Sequence, residues 1–254
     1  MNLFKKKDKK EELEQSKKNN ELQQLFRDIF QKNLQLLSKD FEVEEMNKLF
    51  EHNGDYIVKK IGAVNINSGF VEVGDPLCYL GTQCALQLGK QINLGTYPVL
   101  ISIFSHDIFG LRYLAAKMQI TDKVPVKYEE ALPKEDSGLN FFGVETGLAC
   151  FCDLETEKKY VQFLDQWHSE HPDKNHYDDY FAPFFAESAE KDPEYQRNDG
   201  DYLDWHLPDH DKCNIVMFCS GFGDGAYVPY WGYDENGEVC CLILRFIDPK
   251  AFDI

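Results

Sequence analysis

The 254-residue chain carries 44 acidic against 27 basic side chains, a formal net charge of −17, with 43% apolar and 14% aromatic residues. The acid excess excludes a generic nucleic-acid binder, whose affinity comes from Lys and Arg on phosphates, and the apolar content excludes wholesale disorder. No apolar run approaches the roughly 20 residues of a spanning helix.

The start, Met1-Asn2-Leu3-Phe4-Lys5-Lys6-Lys7, has neither the apolar stretch of a secretory signal nor the glycine at position 2 of a myristoylation site. A cytoplasmic protein is the expectation. Residues 1–20 hold seven lysines and four acids, so the remainder carries the whole acid excess. Lysines so interleaved with acids would anchor poorly on an anionic membrane, and no membrane contact is expected.

Leu22, Leu25, Phe26, Ile29, Leu36 and Leu37 fall on one stripe of a helix. A second short helix is expected from about Asp40 to Phe50, stopped by Asn53-Gly54. Residues 1–50 therefore read as an N-terminal helical extension and 51–254 as the main domain. From Tyr56 the texture changes to short apolar runs cut by Gly, Pro and Asn. Strands are expected at Phe70–Val73, Tyr97–Phe104, Leu111–Ile120 and Phe141–Cys152, with Asp153 capping a helix through Phe163, Leu164 and Trp167. Ile215–Cys219, Ala226–Trp231 and Val239–Phe246 complete the strands, the last pair joined by an Asn236-Gly237 hairpin turn. Many short strands with few helices between them predict an α+β fold, an antiparallel-rich sheet or sandwich with a few helices.

Residues 153–211 hold seventeen acids and five bases. Within them Glu190 to Asp211 interleaves Asp199, Asp201 and Asp204 with Tyr195, Tyr202 and Trp205, which reads as a mobile acidic loop or as an acidic surface with aromatic anchors. Eight cysteines include no Cys-x-x-Cys pair, so they read as reduced, mostly buried thiols. Ser220-Gly221-Phe222-Gly223-Asp224-Gly225 leads into strand-like residues rather than a helix, which argues for a turn with positive φ and against a phosphate cradle. Five of seven histidines lie between 168 and 210, but Pro208 breaks the helix-face spacing of a zincin. No metal or other cofactor is expected.

Gly74-Asp75-Pro76-Leu77, Gly95-Thr96-Tyr97-Pro98-Val99, Gly143-Val144-Glu145-Thr146-Gly147 and the Ser220–Tyr227 segment, in that order and with Asp153 between, resemble an uncharacterised bacterial family, domain of unknown function 4241. The resemblance runs from about Tyr56 to Phe246, and the family pattern implies an aspartate where this chain has Glu145. It implies an intracellular protein, some of whose relatives read as toxin-neutralising immunity proteins.

Two functions follow as expectations. The first is a cytoplasmic acidic binding protein, an immunity-type inhibitor of a basic toxin or nuclease, with Asp199, Asp201, Asp204 and Trp205 at the contact. The second is a small-ligand protein or metal-dependent hydrolase with its site near the Gly/Asp turns, at Asp75, Asp153, Asp224 and Tyr227. Structural turn-bracing by these acids is the competing reading.

Overall fold

The computed structural model describes residues 2–51, 55–135 and 139–252, with side chains from residue 16. The Asn53-Gly54 stop lies outside the described residues. Contacts divide the chain into two units, one formed by residues 1–40 with 247–254, the other by 41–246.

In the first unit, helix α1 (Asn2–Leu37) meets a C-terminal 3₁₀ turn, Pro249–Phe252. Buried Asn33 fastens them: its Oδ1 accepts from the Asp248 amide at 2.8 Å.

The second unit is antiparallel throughout, as its sequence predicts. Helix α2 (Val43–Lys48) precedes strands β1 (Ile57–Ile66), β2 (Val71–Gly74), β3 (Leu86–Gln87), β4 (Gly95–His106), β5 (Gly110–Gln119) and β6 (Lys127–Glu130). Then come β7 (Phe142–Val144), β8 (Leu148–Asp153), helices α3 (Leu154–Glu170) and α4 (Ala182–Lys191), and β9 (Tyr202–His206). The chain closes with β10 (Asn214–Cys219), β11 (Gly225–Tyr227), β12 (Pro229–Tyr233) and β13 (Val239–Arg245). Six strands form one sheet in the order β1-β4-β5-β13-β12-β6, five form another as β3-β2-β8-β10-β9, and β11 pairs with β7.

Side-chain alternation makes the five-stranded sheet a middle layer. Cys150, Cys152, Ile215 and Met217 face a cluster with Tyr160, Phe181, Phe185 and Trp205 from the helical side. Phe151 and Phe218 point the other way, and Phe218 meets Phe246, just past β13, at 6.1 Å. The expected common face of Cys150 and Cys152 is thus a core face.

Edge strand β1 is tied to the five-stranded sheet by side chains rather than by a ladder. The Asp204 carboxylate accepts from the Ala63 amide at 3.1 Å. Asn214 accepts from the Asn65 amide at 2.9 Å and donates to the Ala63 carbonyl at 2.8 Å. The approach needs Gly62, where a Cβ would lie 2.6 Å from Asp204 Oδ2.

Three expectations change. The predicted strand Ala226–Trp231 divides at Val228 into β11 and β12, which lie in different sheets. The predicted strand Phe141–Cys152 is two strands, because residues 145–147 turn between them with Gly147 at φ 72°. The acidic residues 153–211 include α3, a π-helical turn at Tyr177–Phe181, α4 and β9. In the acidic stretch Glu190 to Asp211, residues 192–201 and 207–211 are turns and irregular chain, but the stretch is pinned by the end of α4 and by strand β9. Tyr202 and Trp205 are buried in that fold, Trp205 packing on Tyr160 at 5.6 Å.

One acid is hidden where no turn requires it. Glu72, in the middle of β2, is 1% exposed and its Oε2 has no hydrogen-bond partner among the described residues. Burial first, then the neighbouring Glu157, pushes its carboxyl up to about 8. Because the folded carboxyl holds its proton more tightly than the unfolded one, stability is greatest below the unfolded value and falls as pH rises toward 8. The limiting slope is about 1.4 kcal/mol per pH unit. Glu72→Gln should flatten the decline of Tm with pH across that window. An unchanged Tm–pH profile in the variant would show that Glu72 ionises freely.

Candidate functional site

The turn after β2 is built on one carboxylate. Asp75 is fully buried, and its Oδ1 accepts from the Leu77 and Cys78 amides at 2.9 and 3.2 Å. Its Oδ2 accepts from the Glu145 and Thr146 amides at 2.9 and 2.7 Å, and the Thr146 hydroxyl donates to Oδ1 at 2.8 Å. Backbone donors thus solvate the charge and lock the 75–78 turn to the 145–147 turn.

These two turns form one wall of a cavity of about 460 Å³. The opposite wall comes from Asn175, His176 and Tyr177 at the start of the π-helical turn, and from Arg197, Asp199 and Gly200 before β9. Cys219, at the end of β10, closes the floor with Leu148 and Phe185.

Arg197 is held from beneath by Asp201. Its Nε and Nη2 lie 2.7 and 2.5 Å from Asp201 Oδ1, and its amide donates to Oδ2 at 2.6 Å. Asp201 is 4% exposed and the arginine side chain 65%, so the acid is the fixed foundation and the guanidinium the presented group. Nη1 has no protein partner among the described residues. Arg112 lies close enough for its own charge to be disfavoured by Arg197, second only to burial.

The neutral groups are equally defined. His176 Nε2 lies 3.1 Å from the Leu77 carbonyl, which can only accept, so Nε2 carries the hydrogen and Nδ1 is left as an acceptor. Burial pulls the ring's proton affinity down, keeping it neutral at pH 7. Both cavity thiols stay protonated: burial and then the field of Asp75, Glu145 and Asp224 push Cys78 up, and burial with Asp201 pushes Cys219 up to about 12. The Tyr79 hydroxyl donates to Glu145, and that bond raises the phenol to about 12. The cavity therefore offers a cation, a carboxylate at Asp199 and neutral donors and acceptors. It offers no activated thiolate.

A family model described as Protein of unknown function (DUF4241) matches residues 64–244. The chain belongs to this family. The DUF4241 span contains every wall of the cavity, from Leu77 to Cys219. No curated protein and no solved structure matches the chain.

Within the DUF4241 domain the residues singled out in the sequence have separate positions. Asp75 supports the cavity wall from behind, Asp199 faces the cavity, and Asp201 underpins Arg197. Asp224 is exposed on its glycine turn, near enough to act on Cys78. Gly221 and Gly223 take the expected positive φ, 73° and 106°, and the Tyr227 hydroxyl braces that turn by donating to the Ser220 and Gly223 carbonyls at 3.0 and 2.7 Å.

Asp153, Asp204 and Trp205 lie away from the cavity. Asp153 caps α3 as expected, accepting from Glu155 and Thr156, and also holds the Asn67 and Ser68 amides at 2.9 and 2.8 Å. The histidines do not gather. His168 and His176 meet edge to face at 5.0 Å and His171 stacks on Trp167, while His206 lies beside Asp204. Among the described residues no three of His, Cys, Asp and Glu form a metal-holding group, and no helix is long and apolar enough to cross a membrane.

Arg197, His176 and Asn175 were missed in the sequence. The one available signal was Arg197 itself, the lone arginine among seventeen acids between 153 and 211.

Asp75→Asn places an amide N–H₂ against backbone donors and should cost on the order of 3 kcal/mol. Chemical denaturation measures it. A loss below about 1 kcal/mol, the worth of one ordinary hydrogen bond, would contradict the role of Asp75 as the tie between turns.

Proposed function

We propose that this DUF4241 domain binds a small organic anion in the 460 Å³ cavity. The single observation that carries this reading is Arg197, presented at the wall by a buried aspartate in a chain of net charge −17. Its Nη1, left without a protein partner among the described residues, can donate to a carboxylate or phosphate oxygen, and the buried counter-charge pre-organises it. Asp199 and His176 Nδ1 would receive hydroxyl or amine groups at the other end of such a ligand. The protonated thiols favour binding over cysteine-based catalysis.

A thermal-shift screen of small carboxylates and phosphates tests it. A true ligand raises Tm with concentration, since ligand at a hundred times Kd stabilises by about 2.7 kcal/mol. Arg197→Lys keeps the charge but loses the fork, and should weaken that ligand about tenfold, or ~1.4 kcal/mol. Hits indifferent to Arg197→Lys, or a screen without hits, would remove the reading.

A second reading keeps the immunity-type inhibitor of a basic toxin or nuclease. Its support is the helical side of the domain, where Asp165, Glu170, Asp173 and Glu190 are exposed and Phe184 is 38% exposed. A basic protein would be steered there at low salt. Pull-downs from host lysate at low and moderate salt should retain one stoichiometric basic protein that the higher salt releases. Failure to retain any at low salt removes this second reading and leaves the first untouched.

A further inference from the structure

Strand β13 carries two adjacent cysteines, Cys240 and Cys241. Neighbours on a regular strand point to opposite faces. Here the ladder slips: Gly232 of β12 stands opposite Cys241, while Tyr233 stands opposite Val239. Cys240 is the extra residue of a bulge, the device that re-aims a side chain within a strand. Its effect is to bring both sulfurs together. Cys240 Sγ reaches the Gly232 carbonyl at 3.4 Å, and Cys241 Sγ borders the same glycine. Gly232 makes the room, because a Cβ there would lie 2.6 Å from Cys241 Sγ.

Both cysteines line a separate cavity of about 170 Å³, with Asn47, Lys117, Lys123 and Tyr128 around them. Its neighbour Cys241 draws the Cys240 thiol below its ordinary value, against burial and the field of Asp234. Lys117 sits over the Phe50 ring at 4.6 Å, and the Tyr128 hydroxyl donates to Asn47 Oδ1 at 2.8 Å.

We propose that Cys240 and Cys241 form a dithiol site that chelates a thiophilic centre through two sulfurs at once, a trivalent arsenical. Two features select this chemistry. With no third His, Cys, Asp or Glu gathered beside the pair among the described residues, a cation that demands four protein ligands is poorly served. A direct disulfide between neighbours would close a small ring through their shared peptide. That would pull Cys240 from the Ile120 and Thr121 amides at 2.9 and 3.1 Å, and Cys241 from its place opposite Gln119. An inserted arsenic spans the sulfurs without that contraction. With an organic arsenic(III) oxide, two As–S bonds form, the arsenic–oxygen bond breaks, and both thiol protons leave on that oxygen as one water. No electrons change hands.

The full-length, reduced protein is treated with phenylarsine oxide and washed with excess glutathione. It is then analysed by intact mass and by peptide mapping. One adduct should survive the monothiol, map to the peptide holding Cys240 and Cys241, and leave on addition of 1,2-ethanedithiol. Cys240→Ser and Cys241→Ser should each abolish it, with a cooperative thermal transition retained as proof of folding. Mapping of the unsubstituted chain decides the matter even if a variant fails to fold. An adduct on Cys78 and Cys84 or on Cys150 and Cys152, or none that survives glutathione, overturns the proposal.

Discussion

Buried carboxylates that accept from backbone amides hold this fold together. Asp75 and Asp153 are both fully buried, and neither leans on a basic side chain in any hydrogen bond described above. Each instead collects amides and a hydroxyl from two distant pieces of chain: residues 77–78 with 145–146, and residues 67–68 with 155–156. Burying a charge is costly unless donors solvate it, and here the donors are turns that would otherwise carry unsatisfied amides. One unfavourable group thus satisfies several others, and the connections of the middle sheet become fixed points from which a cavity can be walled.

The same device is used once more with a different outcome. Asp201 also takes a backbone amide, from Arg197, but its second oxygen holds the guanidinium of that residue. Where Asp75 and Asp153 end in structure, Asp201 ends in a cation delivered to an open wall. The turns are rigid because of the first two acids, and Arg197 is presented because of the third. Cys219, donating to Asp201 at 3.1 Å and accepting from Arg197 at 3.2 Å, completes that foundation from β10.

Much of the architecture was legible because its signals are local. The Asn236-Gly237 hairpin, the glycine turn at 221–223 and the Asp153 cap each depend on a few consecutive residues, and each is in place. The acidic stretch misled because charge count does not register alternation. On β9 Leu203 and Trp205 face the helical cluster while Asp204 turns toward β1, a period of two compressed into five residues. The cavity was illegible for another reason. Its lining comes from six separated segments, and the decisive pair, Arg197 and Asp201, looks in sequence like one more charge pair on an acidic surface. The Cys240–Cys241 pair was visible as two letters, but the bulge that puts both thiols in one cavity is set by pairing with β12.

The clasp on β1 has a consequence for life at high protein concentration. An unpaired edge of a ten-residue strand is a template on which another chain can add itself by main-chain hydrogen bonds. Here the outward amides of Ala63 and Asn65 and the carbonyl of Ala63 are occupied by Asp204 and Asn214. The far edge, β6, is only four residues long and carries Lys127, Glu129 and Glu130. A sheet of six strands is thereby finished at one border by side chains and at the other by brevity and charge, and growth by strand addition is refused at both.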